Sequence, residues 1–185
     1  MTLEEHALST ELRVTNTSTT DKLEFQALFH NYIRAPADQV LVYPLQNYRY
    51  YDKTEASEEG RNTAKTETRV GVDVRAFTDS VYEDAPGTYR VGWPGGEVGI
   101  ATAGLKDVVV WNPQEEGGRK MGDMEAGGWC VRMLLCDEGA NLMGVQGAVC
   151  VCRAGTCEGI CRSGVRRDVD WAASFVGRVT RHQLF

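Results

Sequence analysis

The chain has 185 residues, of which 42% are hydrophobic, and a formal net charge of -6 at pH 7. This length suits one domain with a substantial core. The acidic balance argues against broad electrostatic binding to nucleic acid or to an anionic membrane, because both need a basic surface. No apolar run is long enough to span a bilayer, and "MTLEEHALSTEL" lacks the basic and apolar regions of an export signal. The sequence therefore predicts a cytoplasmic protein.

The composition changes near Trp129. All six cysteines lie from Cys130 to Cys161, whereas every proline, tyrosine and lysine precedes Trp129. Residues 1–129 carry 13 basic and 21 acidic side chains, a net charge of -8, and residues 130–185 carry 7 basic and 5 acidic, a net charge of +2. This change divides the chain into a body, residues 1–129, and a Cys/Arg/Gly-rich tail, residues 130–185.

In chain order, short runs rich in Val, Tyr, Phe and Thr, bounded by turn residues, predict β-strands. These runs are "LRVTN", "LEFQALFHNYIRA", "QVLVYPL", "TRVGVDV", "TYRVGW", "EVGIATA" and "DVVVWN". In "WPGGEVGI", the proline and two glycines favour a tight hairpin turn. The polar stretch from Asp52 to Arg69 predicts a long loop, and "DVDWAASFVGRVTRHQLF" suggests a short amphipathic helix in the tail. The body lacks a sustained helical period, so the predicted fold class is all-β, an antiparallel sandwich or barrel.

One predicted strand, "LEFQALFHNYI", contains a histidine. Because successive side chains of a strand point to opposite faces, Phe29 and Ile33 share an apolar core face, while His30 and Tyr32 share the other. That second face mixes an imidazole, a phenol and an amide, which is typical of a ligand-binding concavity. On the residues alone, a hydrogen-bonded structural role for His30 outweighs a catalytic one, because most histidines carry no chemistry.

Two other segments contain candidate site residues. "FTDSVYED" places Asp79 and Tyr82 at a turn that enters a strand, where an aspartate more often stabilises the turn than contacts a substrate. "DVVVWNPQ" runs from a strand into an Asn-Pro turn, so Trp111 could lie in the core or present a stacking surface. The core position is the favoured interpretation.

The cysteine pattern does not identify a metal site. "CVCRAGTCEGIC" has the spacing C-x-C-x4-C-x3-C, whereas structural zinc sites pair their ligands as C-x2-4-C with a second pair farther along. A disulfide framework needs an oxidising compartment, for which the chain shows no export signal. The P-loop, G-x-G-x-x-G, G-x-S-x-G and H-E-x-x-H motifs are absent as well. Short motifs therefore do not reveal the chemistry.

A series of longer blocks is more informative. In order, they are "LSTELRVTNTS", "LEFQALFHNYIRAP", "YYDKTE", "FTDSVYED", "DVVVWNPQ" and "MGDMEAGGW". Over about residues 8–129 this series resembles the glucose-6-phosphate 1-epimerase family, the hexose-6-phosphate mutarotases of the aldose 1-epimerase superfamily. The resemblance implies a galactose-mutarotase-like β-supersandwich that binds a small sugar phosphate on its concave sheet. It implies no metal or organic cofactor, since the reaction needs only proton transfer and bond rotation.

The resemblance also gives roles to two of the candidate residues. His30 matches the family's catalytic histidine, in a motif written "LHTY" in the family and "FHNY" here. A histidine suits the acid that protonates the ring oxygen, because its unperturbed pKa of about 6.5 lies near neutral pH. Asp79, in the "DxxY" block, resembles the aspartate that contacts sugar hydroxyls.

The chain departs from the family at both ends. The family's base is a glutamate about seven residues after the block that ends at Trp129, and that spacing falls on Cys136 here; Glu138, two residues farther on, is the candidate base. The family's phosphate-binding arginines precede the point that matches Met1, and the net charge of -6 offers no substitute. The resemblance therefore predicts a partial sandwich that lacks its N-terminal half and carries a divergent C-terminal tail, of non-homologous origin by hypothesis.

Two alternatives to an active mutarotase stay open. A non-catalytic carbohydrate-binding β-sandwich would keep the concave face without the base. An inactive fragment would instead expose unpaired strand edges and tend to associate.

Overall fold

The structure is a computed structural model that describes residues 1–17, 19–20, 28–121, 130–136 and 170–180. Its elements are almost all β-strands. The strands are β1 Thr2–Leu3, β2 Ala7–Thr15, β3 Leu28–Arg34, β4 Leu41–Tyr43, β5 Arg49–Asp52, β6 Ala64–Thr66, β7 Val72–Asp73, β8 Thr78–Tyr82, β9 Thr88–Trp93, β10 Gly96–Ala103, β11 Asp107–Asn112, β12 Cys130–Cys136 and β13 Asp170–Thr180. Two short helices accompany them, α1 Glu58–Asn62 and α2 Gln114–Gly118.

The strands form two antiparallel sheets. A seven-stranded sheet has the order β1-β2-β13-β10-β9-β4-β7, and a six-stranded sheet has the order β3-β12-β11-β8-β5-β6. The predicted all-β antiparallel fold class is confirmed.

β12 and β13 come from residues 130–185, and each occupies an interior position of its sheet. The separate origin suggested for residues 130–185 stays a prediction, and the change of composition at Trp129 lies outside the described residues.

The hydrophobic core lies between the two sheets. The seven-stranded sheet contributes Val42, Val72 and Val91, and the six-stranded sheet contributes Tyr82, Val108 and Val110, all 0% exposed. Burying an aliphatic side chain of this size stabilises the fold by about 1.5–3 kcal/mol. The alternating apolar residues of these strands therefore account for most of the attraction between the sheets.

The predicted hairpin in "WPGGEVGI" joins β9 to β10. Trp93 pairs with Gly96 across the turn, and Gly95 adopts a φ of 91° that favours glycine. A Cβ on Gly96 would lie 2.6 Å from the Trp93 ring. The first glycine is therefore needed for its backbone angle and the second for a close approach to the indole.

Two sequence predictions of local structure were wrong. The segment predicted as an amphipathic helix forms β13, which pairs with β2 and β10 along its length. Pairing on both sides outweighs a weak helical pattern, because strand preference depends strongly on context. The predicted loop from Asp52 to Arg69 contains β6 and α1, and the Ser57 hydroxyl caps α1 by accepting a 2.9 Å hydrogen bond from the Gly60 N–H.

A charged hydrogen-bond network is centred on the buried carboxylate of Glu67. Glu67 is 2% exposed, and its carboxylate accepts hydrogen bonds from the Tyr82 hydroxyl at 2.7 Å and from the Arg69 guanidinium at 2.9 and 2.8 Å. Burial would raise the pKa of Glu67, but the bonds from Arg69 and Tyr82 outweigh it and hold the pKa below its usual value. Burial and the neighbouring carboxylate raise the pKa of Tyr82. The network therefore contains an ionised, fully bonded carboxylate.

Removing one donor from this network should destabilise the fold. We expect Tyr82→Phe to lower the free energy of unfolding by about 1.5–3 kcal/mol, the usual contribution of a hydrogen bond to a charged group. Urea unfolding at neutral pH measures the change. Tyr50→Phe is the matched control, because Tyr50 stacks on Tyr82 with a centroid distance of 5.2 Å. Equal losses for both variants would contradict a specific contribution from the hydroxyl.

The same network should make stability depend on acid pH. Because the folded pKa of Glu67 lies below the ordinary value of 4.5, the unfolded chain binds the proton first as the pH falls. The stabilisation is therefore complete above the unfolded pKa and is lost as the pH falls through the folded pKa. We expect the urea midpoint of Glu67→Gln to change less between pH 7 and pH 3 than that of the wild type. The control Glu116→Gln alters an exposed carboxylate and should keep the wild-type dependence.

Candidate functional site

The six-stranded sheet has one face in the core and one face turned away from it. Ile33, Tyr82, Val108 and Val110 belong to the core cluster, and Phe29 packs against it. Strand alternation therefore turns the neighbouring residues of β3, β8 and β11 to the opposite side. We call this opposite side the outer face.

The register of the strands aligns the candidate residues on the outer face. Asp79 on β8 is paired with Trp111 on β11, and Trp111 is paired with Arg132 on β12. Arg132 is in turn paired with Tyr32 on β3. Directly opposed residues on adjacent strands share a face, so Asp79, Trp111 and Tyr32 lie in one row across the sheet.

His30 lies in the adjacent row of the same face. It is paired with Leu134, which is paired with Val109, and Val109 is paired with Val81. The His30 side chain is exposed. Three strand spacings separate His30 from β8, which is about 14 Å between the backbones. His30 and Asp79 therefore share a face but could only contact different parts of one ligand.

Asp79 lies within strand β8, not in the turn that its sequence predicted. Its side chain is half-buried, and burial raises the pKa of its carboxyl above the usual value, while the Lys53 ammonium opposes that shift. A carboxyl with a perturbed pKa is more frequent in binding and catalytic sites than elsewhere.

Lys53 is a further residue of this site, and the sequence reasoning missed it. Its backbone N–H donates a 2.8 Å hydrogen bond to the Asp79 carbonyl, which places the two residues opposite each other. The ammonium donates a 3.0 Å hydrogen bond to the Arg61 carbonyl and lies 5.1 Å from the centroid of the Tyr51 ring. Burial lowers the pKa of Lys53. The only sequence signal was its position in the block "YYDKTE", to which the family resemblance attached no role.

Trp111 does not belong to the core cluster, although a core position was the favoured interpretation of its sequence. It is half-buried and lies on the outer face, while its neighbours Val110 and Asn112 are 0% exposed. An indole in a row with a carboxylate can stack on the apolar face of a sugar ring. Trp111 therefore lies on the same face as Asp79 and outside the core cluster.

Glu138, the candidate base, and the cysteine cluster of "CVCRAGTCEGIC" lie outside the described residues. Among the residues that are described, no group of three His, Cys, Asp or Glu side chains could hold a metal ion. In the same part of the chain, no helix is long and apolar enough to cross a membrane.

Several solved structures share this fold. A protein from Salmonella typhimurium that was proposed to be a mutarotase matches with a TM-score of 0.62 and 14% identity, covering 94% of this chain and 50% of that one. A proposed aldose 1-epimerase from Escherichia coli K12 matches with a TM-score of 0.63 and 12% identity, covering 97% and 58%. The Slr1438 protein from Synechocystis sp. PCC 6803 matches with a TM-score of 0.65 and 12% identity, covering 97% and 53%.

The structural matches establish the fold at a general level. No protein-family model matches the sequence, and no curated protein matches it significantly. The chain spans about half the length of the solved structures that it matches. The chain has the fold of a mutarotase-like β-sandwich, as the sequence resemblance predicted.

The charges of Asp79 and Lys53 should be coupled. We expect the Asp79 carboxyl to protonate above its ordinary pKa of 3.8, and Lys53→Met to raise that pKa further because the attraction of the ammonium is lost. A carbon-detected NMR titration of the aspartate carboxyls, assigned with Asp79→Asn, measures both values. Lys120→Met, which removes an exposed lysine paired with Glu116, is the control. An Asp79 pKa that falls in Lys53→Met would contradict the coupling.

Proposed function

We propose that the chain is a 1-epimerase that interconverts the α and β anomers of a hexose 6-phosphate. The observation that supports this most directly is the shared outer face of His30, Asp79 and Trp111 in a mutarotase-like sandwich. The outer face offers a proton donor, a hydroxyl acceptor and an aromatic surface, which together match the chemistry of a pyranose.

The proposed reaction consists of proton transfers and a rotation. A base takes the proton of the C1 hydroxyl while His30 donates a proton to the ring oxygen, and the bond between C1 and the ring oxygen breaks. The open-chain aldehyde rotates about the C1–C2 bond. Ring closure on the other face returns the proton from the ring oxygen to His30 and gives the C1 oxygen a proton from the base. No net proton is gained or lost.

Three residues carry the proposed roles. His30 is the acid, Glu138 is the base, and Asp79 contacts the sugar hydroxyls. Because Asp79 lies about three strand spacings from His30, it is suited to orient the sugar more than to take part in proton transfer at C1. The cytoplasmic location stays a prediction from the sequence.

Anomer exchange of glucose 6-phosphate, followed by NMR magnetisation transfer, tests the proposal. We expect exchange by the wild-type chain above the buffer blank, and His30→Ala to slow it by about 10²–10⁴-fold, the range for loss of a general acid. His6→Ala is the matched control, because the His6 side chain is 71% exposed near the N-terminus. For the base, Glu138→Gln should abolish exchange while Asp137→Asn leaves it.

Two results would contradict this function. Wild-type exchange equal to the blank would remove the proposed activity and favour a carbohydrate-binding sandwich if glucose 6-phosphate still binds. Exchange that survives in both His30→Ala and Glu138→Gln would show that other groups transfer the protons.

A further inference from the structure

The strands at the ends of the two sheets differ in length. In the described part of the chain, these end strands are β1 and β7 of the seven-stranded sheet and β3 and β6 of the six-stranded sheet. β1 and β7 have two residues each and β6 has three, whereas β3 has seven. A short end strand offers few backbone groups to another chain. Of these four strands, β3 is therefore the best suited to pair with an added strand.

β3 also lacks the features that commonly prevent pairing at the edge of a sheet. Its sequence, "LFHNYIR", contains no proline or glycine, and its one arginine or lysine is the last residue, Arg34. Each residue from Leu28 to Arg34 pairs with β12 in unbroken register, so no bulge bends the strand. Prolines, bulges and charges within an edge strand usually protect it from association. β3 is therefore a regular template for an antiparallel strand.

The sequence of β3 is complementary to itself in one antiparallel register. When Asn31 lies opposite the partner's Asn31, all seven residues of the strand are paired. Phe29 then lies opposite the partner's Ile33, and both of these residues belong to the core side of the strand. On the outer face, His30 lies opposite the partner's Tyr32. This register therefore continues both the apolar side and the outer face into the second copy.

Asn31 favours this register over its neighbours. Its side chain is half-buried, and strand alternation places it on the same side as Phe29 and Ile33. A carboxamide both donates and accepts, so two carboxamides related by a two-fold axis can bond to each other. Moving the centre of the pair by one residue would pair only residues 28–32 or 30–34 and would place Asn31 opposite Phe29 or Ile33. An amide opposite an apolar side chain loses this hydrogen bond.

We propose that β3 pairs with β3 of a second copy of the chain in this register, so that the six-stranded sheets of two copies join into one sheet. Directly opposed residues on antiparallel strands have Cβ atoms about 4.5–5.5 Å apart, so the partner's Tyr32 lies beside His30. The phenol can hydrogen-bond a sugar hydroxyl next to the imidazole. This role of the phenol rests on the proposed function, whereas the pairing of the strands does not.

Sedimentation velocity of the full chain, from low to high micromolar concentration, tests the pairing. We expect the wild type to dimerise as its concentration rises. Asn31→Lys and Asn31→Asp should each remain monomeric, because each places like charges opposite each other at the centre of the pair. An equimolar mixture of the two variants should restore the dimer, since opposite charges then face each other. Gln39→Lys adds the same charge at an exposed turn residue and should dimerise like the wild type.

Isotope-filtered NMR tests the register without any substitution. In a mixture of labelled and unlabelled wild-type chains, we expect intermolecular NOEs between the His30 ring and the partner's Tyr32 ring. Urea midpoints of the Asn31 variants show whether their fold is kept. If either variant fails to fold, the sedimentation and NOEs of the wild type still decide the proposal.

The outcomes separate this interface from the proposed function. A wild type that stays monomeric, or intermolecular NOEs confined to residues outside β3, would overturn the interface, and anomer exchange by that chain would still support the epimerase. A dimer with the expected NOEs but no anomer exchange would support the interface and overturn the epimerase. When both are present, exchange per chain should rise with the fraction of dimer. A constant rate would overturn the role of the partner's Tyr32 at the site.

Discussion

Strand alternation in the six-stranded sheet is the constraint on which both the core and the candidate site depend. Each strand places one set of side chains between the sheets and the other set on the outer face. A slip of one residue in β8 would exchange Asp79 with Ser80 and move a carboxylate into the core. The buried Tyr82 on the same strand opposes such a slip, because it would leave the core. The packing of the core therefore also determines which residues face a ligand.

A strand from the tail connects the strand that holds His30 with the strand that holds Trp111. β12 lies between β3, which holds His30, and β11, which holds Trp111. On the other sheet, β13 lies between β2 and β10 in the same way. The residues Cys130–Cys136 and Asp170–Thr180 thus complete both sheets. The spacing between His30 and Asp79 depends on backbone hydrogen bonding by β12 more than on any contact between the two side chains.

Glu67 and Asp79 are two carboxyl groups, one buried and one half-buried, whose pKa values shift in opposite directions. Glu67 receives hydrogen bonds from Arg69 and Tyr82, so its pKa is lowered and its role is structural. Burial raises the pKa of Asp79, the Lys53 ammonium opposes this shift, and the charge of Asp52 adds to it. Hydrogen bonds from Arg69 and Tyr82 stabilise the first carboxylate, whereas the second is the residue that we propose to contact sugar hydroxyls. Carboxyls with a raised pKa are more frequent at functional sites, whereas carboxylates in structural hydrogen-bond networks have a lowered pKa.

The sequence by itself predicted the all-β class, most of the strands in the body and the hairpin at Gly95, because these depend on local alternation and turn preferences. It also placed His30 and Tyr32 on the face opposite Phe29, since strand periodicity needs no partner. It did not predict β13, because the pairing of that segment with β2 and β10 is long-range. Nor did it predict the row of Asp79, Trp111 and Lys53, since register across three neighbouring strands depends on backbone pairing between distant segments. The candidate residues His30, Asp79 and Trp111 were therefore readable from the sequence, but only the tertiary structure decided which of them share a face and that Lys53 lies beside Asp79.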